Sequence, residues 1–145
     1  MTYRPTDLAL LGLALIATCV VVQSVGMLAL IHWLARVRGV LESPSAPRRV
    51  GLLLRLFTRI VLLHLIQVGL WAIVFWHELP DLETALYFSL VSYTTIGFGD
   101  VVVGPGWRVL AGIEGLTGIL LAGWSTAFVF AIVNRMYEHW RQVHS

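Results

Sequence analysis

The chain has 145 residues, of which 58% are hydrophobic and 12% are charged. This composition excludes an ordinary soluble globule and fits one domain built from several membrane helices. The formal net charge is +2, and the single cysteine, Cys19, excludes an intrachain disulfide. All ten basic residues are arginines that flank apolar runs, so we expect no nucleic-acid partner.

The first predicted helix covers Leu8 to Leu34, a run without Asp, Glu, Lys or Arg. At 1.5 Å per residue it exceeds the ~30 Å hydrocarbon core, so a tilted or projecting helix is expected. A cleaved signal peptide has a shorter apolar region, a more basic start and a small-residue cleavage site. Only Arg4 precedes the run, so we predict a helix that is not cleaved.

A linker is predicted from Arg36 to Arg49, because its prolines and serines oppose a continuous helix. The second helix is predicted to begin near Arg48. Arg55 and Arg59 are four residues apart, whereas voltage-sensor arginines repeat every three. We therefore interpret them as arginines that snorkel at the cytoplasmic end.

Two polar residues, His64 and Gln67, interrupt the apolar run Ile60 to Trp76. Polar side chains inside membrane helices commonly hydrogen-bond to neighbouring helices, and we expect that role here. Trp71 and Trp76 are predicted to mark the far membrane interface.

A short helix is predicted from Leu82 to about Tyr93, with Asp81 as its N-cap. It is too short to cross a bilayer, and a helix that enters and returns requires protein or water around its backbone. Its C-terminal end carries a partial negative charge and would point toward the membrane centre, where it favours a cation.

Residues 94–100 read TTIGFGD and connect the short helix to the third apolar run. Gly97 and Gly99 alternate with larger residues, and glycine adopts the positive φ that other residues avoid. Such alternation turns successive carbonyls to one side, and a ladder of carbonyls can replace the water around a cation. The alternative is a glycine-rich turn between two membrane helices, which the flanking segments make less favourable.

The motif resembles the selectivity filter of potassium channels, with Ile96 and Phe98 in place of the valine and tyrosine of TVGYG. The resemblance extends over about Gly51 to Tyr137. It implies an all-α membrane protein with three transmembrane helices, a re-entrant pore helix and a filter loop, the first helix being an addition to the family's pore module. It also implies a homotetramer, since each chain supplies one of four loops. The implied filter runs from Thr95 to Gly99. Its K+ sites are formed by the Thr95 hydroxyl and by the carbonyls of Thr95, Ile96, Gly97 and Phe98. No cofactor is expected, since K+ is the permeant ion.

The resemblance further implies residues that support the filter, beginning with Thr94 before it and Asp100 after it. The family often bonds this aspartate to an aromatic donor on the pore helix, and Tyr87 occupies that position. We therefore expect a Tyr87–Asp100 hydrogen bond that acts as the main clamp on the outer filter. The alternative is Tyr87 as an interface anchor beside a hydrated Asp100.

Glu114 is an acid within the third apolar run, which makes it a functional-site hypothesis. We predict that it lies behind the filter and bonds the pore helix near Ser92 or Tyr93. The alternative is a hydrated glutamate near the outer interface, only six residues after Arg108.

The third helix is predicted over Val109 to Val133, with a short polar tail at residues 134–145. By its position after the filter, Gly118 matches the hinge glycine of the family's inner helix. Three residues at spacing four share a face and are predicted to line the inner cavity, with the last as a hydrophobic gate: Ala122, Thr126 and Phe130.

Three spans and one re-entrant loop place eight of the ten arginines on one side, which should be cytoplasmic. The amino terminus and the filter mouth would then face outward, and the carboxyl terminus inward. We expect residues 1–49 to form the first helix and cytoplasmic linker, 50–137 the pore module and 138–145 a cytoplasmic tail. The predicted location is the plasma (cell inner) membrane, in contact with its lipids.

Potassium-selective conduction without enzyme activity is the leading hypothesis. A weakly selective cation channel keeps the architecture, but the intact TIGFG opposes it. A potassium transporter subunit would carry four degenerate repeats in one chain, and here there is one. An intramembrane enzyme using His64 and Glu114 lacks a nucleophile motif, and nothing in the sequence brings the two together.

Overall fold

The computed structural model describes residues 5–37, 39 and 45–144. Its helices, in chain order, are α1 (Pro5–Arg36), α2 (Ala46–Phe75), α3 (Leu82–Tyr93) and α4 (Arg108–His144). The described residues contain no strand. Three stretches are long and apolar enough to cross a membrane, namely Thr6–Arg36, Ala46–Phe75 and Arg108–Glu138. The predicted all-α fold with three spans and one short helix is confirmed.

The start of α3 follows the sequence prediction. Asp81 is the N-cap, and its Oδ1 accepts a hydrogen bond from the Thr84 N–H at 2.8 Å. This bond satisfies one of the donors that every helix leaves unpaired at its first turn. It also holds the pKa of Asp81 below its ordinary value, so the cap is charged at neutral pH.

The linker between α1 and α2 is shorter than predicted. Pro47 lies in the first turn of α2, so Arg48 and Arg49 are helical. Proline is accepted there because its missing N–H would have no helical partner in any case. The middle of the predicted linker, at residues 38 and 40–44, lies outside the described residues.

The third helix extends beyond its predicted end at Val133, because α4 continues as a helix to His144. No glycine or proline follows Gly123, so nothing in the sequence ends the helix where the apolar run ends. Asn134 donates a hydrogen bond to Glu138 one turn later at 3.3 Å, which supports the polar extension. The expected division at residue 138 therefore falls inside a helix.

An aromatic core holds α3 against α2. Trp71 and Phe75 stack with ring centroids 6.2 Å apart, and Phe75 meets Phe88 of α3 edge-on at 5.0 Å. Trp71 is fully buried and Trp76 is exposed, and the predicted position of both at the membrane interface stays a prediction. The rigid packing of these rings fixes the direction in which α3 delivers the chain to residues 94–100.

The amino end of α1 lies beside the start of α4. A Cβ built on Gly12 would be 3.1 Å from Leu110 Cδ1. At the other end of α1, the Arg59 guanidinium lies 3.7 Å from the centroid of the Trp33 ring. This cation–π contact gives Arg59, near the middle of α2, a fixed partner on α1.

Candidate functional site

The TTIGFGD loop, residues 94–100, folds back against the last turn of α3. The Thr94 N–H bonds to the Leu90 carbonyl at 3.1 Å, and the Thr95 N–H bonds to the Ser92 carbonyl at 3.0 Å. The Gly97 N–H reaches back to the Val91 carbonyl at 3.1 Å. These bonds direct backbone donors toward α3.

The backbone of the loop alternates in handedness. Among the described residues, positive φ occurs at Thr95 (61°), Gly97 (52°) and Gly99 (77°). The prediction for the two glycines is confirmed. Thr95 was missed, although its position two residues before Gly97 continues the same alternation. A left-handed residue at every second position turns successive carbonyls to one side, which suits the binding of a dehydrated cation.

The side chains of the loop are uncovered in a single chain. All residues from 94 to 100 are exposed, including Ile96 at 57% and Phe98 at 70%. A Cβ built on Gly97 or Gly99 would meet nothing within 4 Å. Glycine is therefore required at both positions by the positive φ and not by lack of space for a side chain.

The predicted hydrogen bond at the outer end of the loop is confirmed. The Tyr87 hydroxyl donates to Asp100 Oδ2 at 2.7 Å. This bond lowers the pKa of Asp100 and raises the pKa of Tyr87, because each group is stabilised in the form that keeps the bond. Its action as a clamp on the loop stays a prediction.

Glu114 is completely buried, which excludes the hydrated alternative. Ser89 Oγ donates to Glu114 Oε1 at 2.7 Å, so the acid does bond to α3. The partner lies one turn earlier on α3 than the predicted Ser92 or Tyr93. The reason is where the helices meet: Gly115 and Gly118 lie against the Ser92 and Tyr93 carbonyls, so Glu114 meets α3 one turn earlier. Oε2 has no partner among the described residues.

Gly118 packs directly against the end of α3. A Cβ there would overlap the Tyr93 carbonyl oxygen, and a Cβ on Gly115 would lie 3.1 Å from the Ser92 carbonyl oxygen. The two glycines thus let α4 approach the α3 backbone. The predicted hinge at Gly118 stays untested, and α4 is continuous through it.

The three residues predicted to line a cavity lie on an exposed face of α4. Ala122 and Thr126 are exposed, and Phe130 is 71% exposed. A pocket of about 340 Å³ lies between this face and the end of α3, with Thr94, Thr95, Gly118 and Ala122 among its lining residues.

Catalysis by His64 and Glu114 finds no support in their contacts. His64 bonds to Tyr93 and Ser125, whereas Glu114 bonds to Ser89. His64 and Gln67 both bond to other helices, as predicted. The described residues contain no group of three or more His, Cys, Asp or Glu side chains that could hold a metal ion.

Three long apolar helices, with a short helix between the second and the third, define an α-helical membrane protein. A sequence model of the ion channel family matches residues 54–135, which is more than half of the chain. The chain therefore belongs to the ion channel family and is a multi-pass integral membrane protein that passes ions passively. No curated protein and no solved structure is similar enough to the chain to count as a match.

Proposed function

We propose that the protein is a potassium-selective channel. The observation that carries this proposal is the alternation of positive φ at Thr95, Gly97 and Gly99 within the sequence TIGFG. The carbonyls of residues 95–98 and the Thr95 hydroxyl would replace the hydration shell of K+. The C-terminal end of α3, with its partial negative charge, adds a favourable potential for a cation at the inner end of the loop.

The pore would be formed by four copies of this chain, because one chain supplies one loop and a carbonyl cage requires several. Ile96 and Phe98 support this arrangement, because their large apolar side chains are exposed in a single chain although they lie outside the apolar spans. In a homotetramer the neighbouring subunits would cover them. Residues 50–137 would form the pore module, with α1 at its periphery in contact with lipid.

The orientation follows from the charges at the two ends of the helices. Arg36, Arg48 and Arg49 lie at the junction of α1 and α2, and Arg135 and Arg141 lie late in α4. We place this end in the cytoplasm of the plasma (cell inner) membrane. Acids gather at the opposite end around the loop, where they would concentrate cations: Glu78, Asp81, Glu83 and Asp100.

A flux assay tests the proposal. Purified protein is reconstituted into vesicles loaded with K+ and diluted into Na+, and the reverse gradient is prepared in parallel. We expect a membrane potential negative inside the K+-loaded vesicles and positive inside the Na+-loaded ones, because only K+ crosses readily. Equal dissipation of both gradients would contradict potassium selectivity and favour a weakly selective cation channel.

Glycine variants make the assay specific for the loop. Gly97→Ala and Gly99→Ala add a methyl in open space but oppose the positive φ, so selective flux should be lost. Gly69→Ala is the matched control, since it also adds a methyl in open space but within the helical backbone of α2. It should keep parental flux.

A further inference from the structure

Polar side chains from all four helices meet in the apolar interior of the protein. We call them the polar ring: Gln23 of α1, His64 and Gln67 of α2, Tyr93 of α3 and Ser125 of α4. Gln23 and Gln67 are completely buried, and Tyr93 and Ser125 are each 4% exposed. Polar groups at this depth are costly unless their donors and acceptors have partners.

The contacts of the polar ring close on themselves. Gln67 Nε2 donates to Gln23 Oε1 at 2.8 Å, and Gln23 Nε2 donates to Ser125 Oγ at 2.9 Å. His64 lies 2.9 Å from Ser125 Oγ through Nε2 and 2.9 Å from the Tyr93 hydroxyl through Nδ1. The Tyr93 hydroxyl donates to Gln67 Oε1 and completes the cycle.

Each member of the ring donates one of these bonds and accepts another. Tyr93 has a single hydroxyl proton, which it gives to Gln67, so its oxygen accepts from Nδ1–H of His64. The other nitrogen of a neutral His64 then accepts from the Ser125 hydroxyl, whose oxygen accepts from Gln23. Removing one member leaves two buried partners unsatisfied, so the five side chains act as a unit.

Tyr93 connects the ring to the TTIGFGD loop. It is the last residue of α3, and it is followed by the C-cap Thr94 and by the left-handed Thr95. Its carbonyl oxygen packs against Gly118 of α4. The backbone of Tyr93 is thus held by α4, and its hydroxyl is held by the ring. Any displacement of Tyr93 would move the oxygen atoms of Thr94 and Thr95.

Packing alone does not explain a glutamine at position 23. The buried stripe of α1 is otherwise apolar at this depth, with Cys19 one turn before Gln23 and Met27 one turn after it. A leucine would continue this apolar stripe without the free-energy cost of burying a polar side chain. Gln23 also lies outside residues 54–135, the part of the chain that the family match includes.

We propose that Gln23 is a positioning residue for ion selectivity, through which α1 holds the polar ring closed, fixes Tyr93 and sets the Thr94 and Thr95 oxygens. This inference rests on the proposed potassium-channel function. It means that α1 contributes to ion selectivity through Gln23, although α1 supplies no residue to the loop itself.

The test compares Gln23→Leu and Tyr93→Phe in the full chain, reconstituted in planar bilayers under a K+/Na+ gradient. Each substitution opens the ring with little change in shape. We expect each to lower the K+/Na+ permeability ratio about tenfold, the equivalent of losing one net hydrogen bond of about 1.4 kcal/mol. The double variant should be no worse than the worse single variant, because the ring is already open.

Two further variants separate positioning from general damage. Ser24→Ala is the matched control on α1, since the Ser24 hydroxyl bonds the Val20 carbonyl of its own helix at 2.7 Å and is outside the polar ring. It should keep the parental permeability ratio. Gln23→Glu, as a neutral carboxylic acid, retains one donor and one acceptor and should recover most of the ratio. Thermal unfolding of every variant is measured in parallel.

The outcomes are distinguishable. A parent protein without potassium selectivity would overturn the proposed function and this inference together. A selective parent with a parental ratio in an assembled Gln23→Leu would overturn the inference alone, as would additive losses in the double variant. If Gln23→Leu does not assemble, the permeability ratio of Tyr93→Phe decides whether the ring affects selectivity, since this substitution deletes a single hydroxyl. Lost selectivity in an assembled Gln23→Leu protein, largely recovered in Gln23→Glu, is the result that supports the proposal.

Discussion

Thr95 adopts a backbone conformation that L residues with a branched Cβ avoid, at a cost of roughly 1–2 kcal/mol. The surrounding hydrogen bonds stabilise it, because its own N–H bonds to Ser92 and the Gly97 N–H bonds to Val91. A glycine would adopt this φ freely but would lose the hydroxyl that we propose to contact K+. The strain thus accompanies a side chain with a proposed task in the pore.

At the outer end of the loop, Tyr87→Phe should speed the decay of current during sustained opening while leaving selectivity intact. The substitution removes only the hydroxyl that donates to Asp100. Current decay is measured in bilayers at several external pH values. Parental kinetics in both Tyr87→Phe and Asp100→Asn would contradict the clamp.

The same bond gives the clamp a defined pH dependence. The pKa of Asp100 is lowered by the Tyr87 hydroxyl, so the charged bond is present at neutral pH and is lost as pH falls through the lowered pKa. In Tyr87→Phe the pKa of Asp100 returns toward its ordinary value. The response of Asp100 to external acid should therefore begin at higher pH in this variant than in the parent.

At the scale of whole elements, α3 is held by α2 through aromatic rings and by α4 through glycines. Gly118→Ala should push α4 away from the Tyr93 carbonyl and lower the unfolding temperature of the assembled protein. Gly123→Ala on the same helix meets nothing within 4 Å and should be close to the parent. A stable Gly118→Ala protein with altered gating would instead support the hinge.

Phe130 gives a prediction for the inner end of α4. Its side chain is 71% exposed in a single chain, as expected for a residue that meets its copies around a pore axis. Phe130→Ala should raise the open probability, because a wider and less apolar constriction dewets less readily. Phe128→Ala is the control, since Phe128 packs against the cluster of α1 and α2. Single-channel records of Phe130→Ala that match the parent would rule out the gate.

Much of the fold could be predicted from the sequence, because apolar runs and caps report directly on helices. The bounds of α3 and its cap at Asp81 follow from the sequence alone. The exact partner of Glu114 could not be predicted from the sequence, because the point at which α4 crosses α3 depends on packing between distant segments. The polar ring was missed for the same reason: Gln23 and Ser125 are 102 residues apart and have no shared motif.

On the scale of the whole molecule, the two ends of the helices differ in charge. The junction of α1 and α2 is rich in arginine, and the loop end is rich in acids. A reporter fused at the amino terminus should therefore report the extracytoplasmic side. A reporter fused at the carboxyl terminus is the internal control and should report the cytoplasmic side. A cytoplasmic signal from the amino terminus would contradict the proposed orientation.

We propose above that the TTIGFGD loops of four chains form a pore selective for K+. The most direct test is the reversal potential of the purified, reconstituted protein with K+ on one side of a bilayer and Na+ on the other. We predict a reversal potential that approaches the K+ equilibrium potential and follows it when the K+ gradient is changed. A reversal potential near zero under these conditions, with currents that Gly97→Ala leaves unchanged, would contradict it.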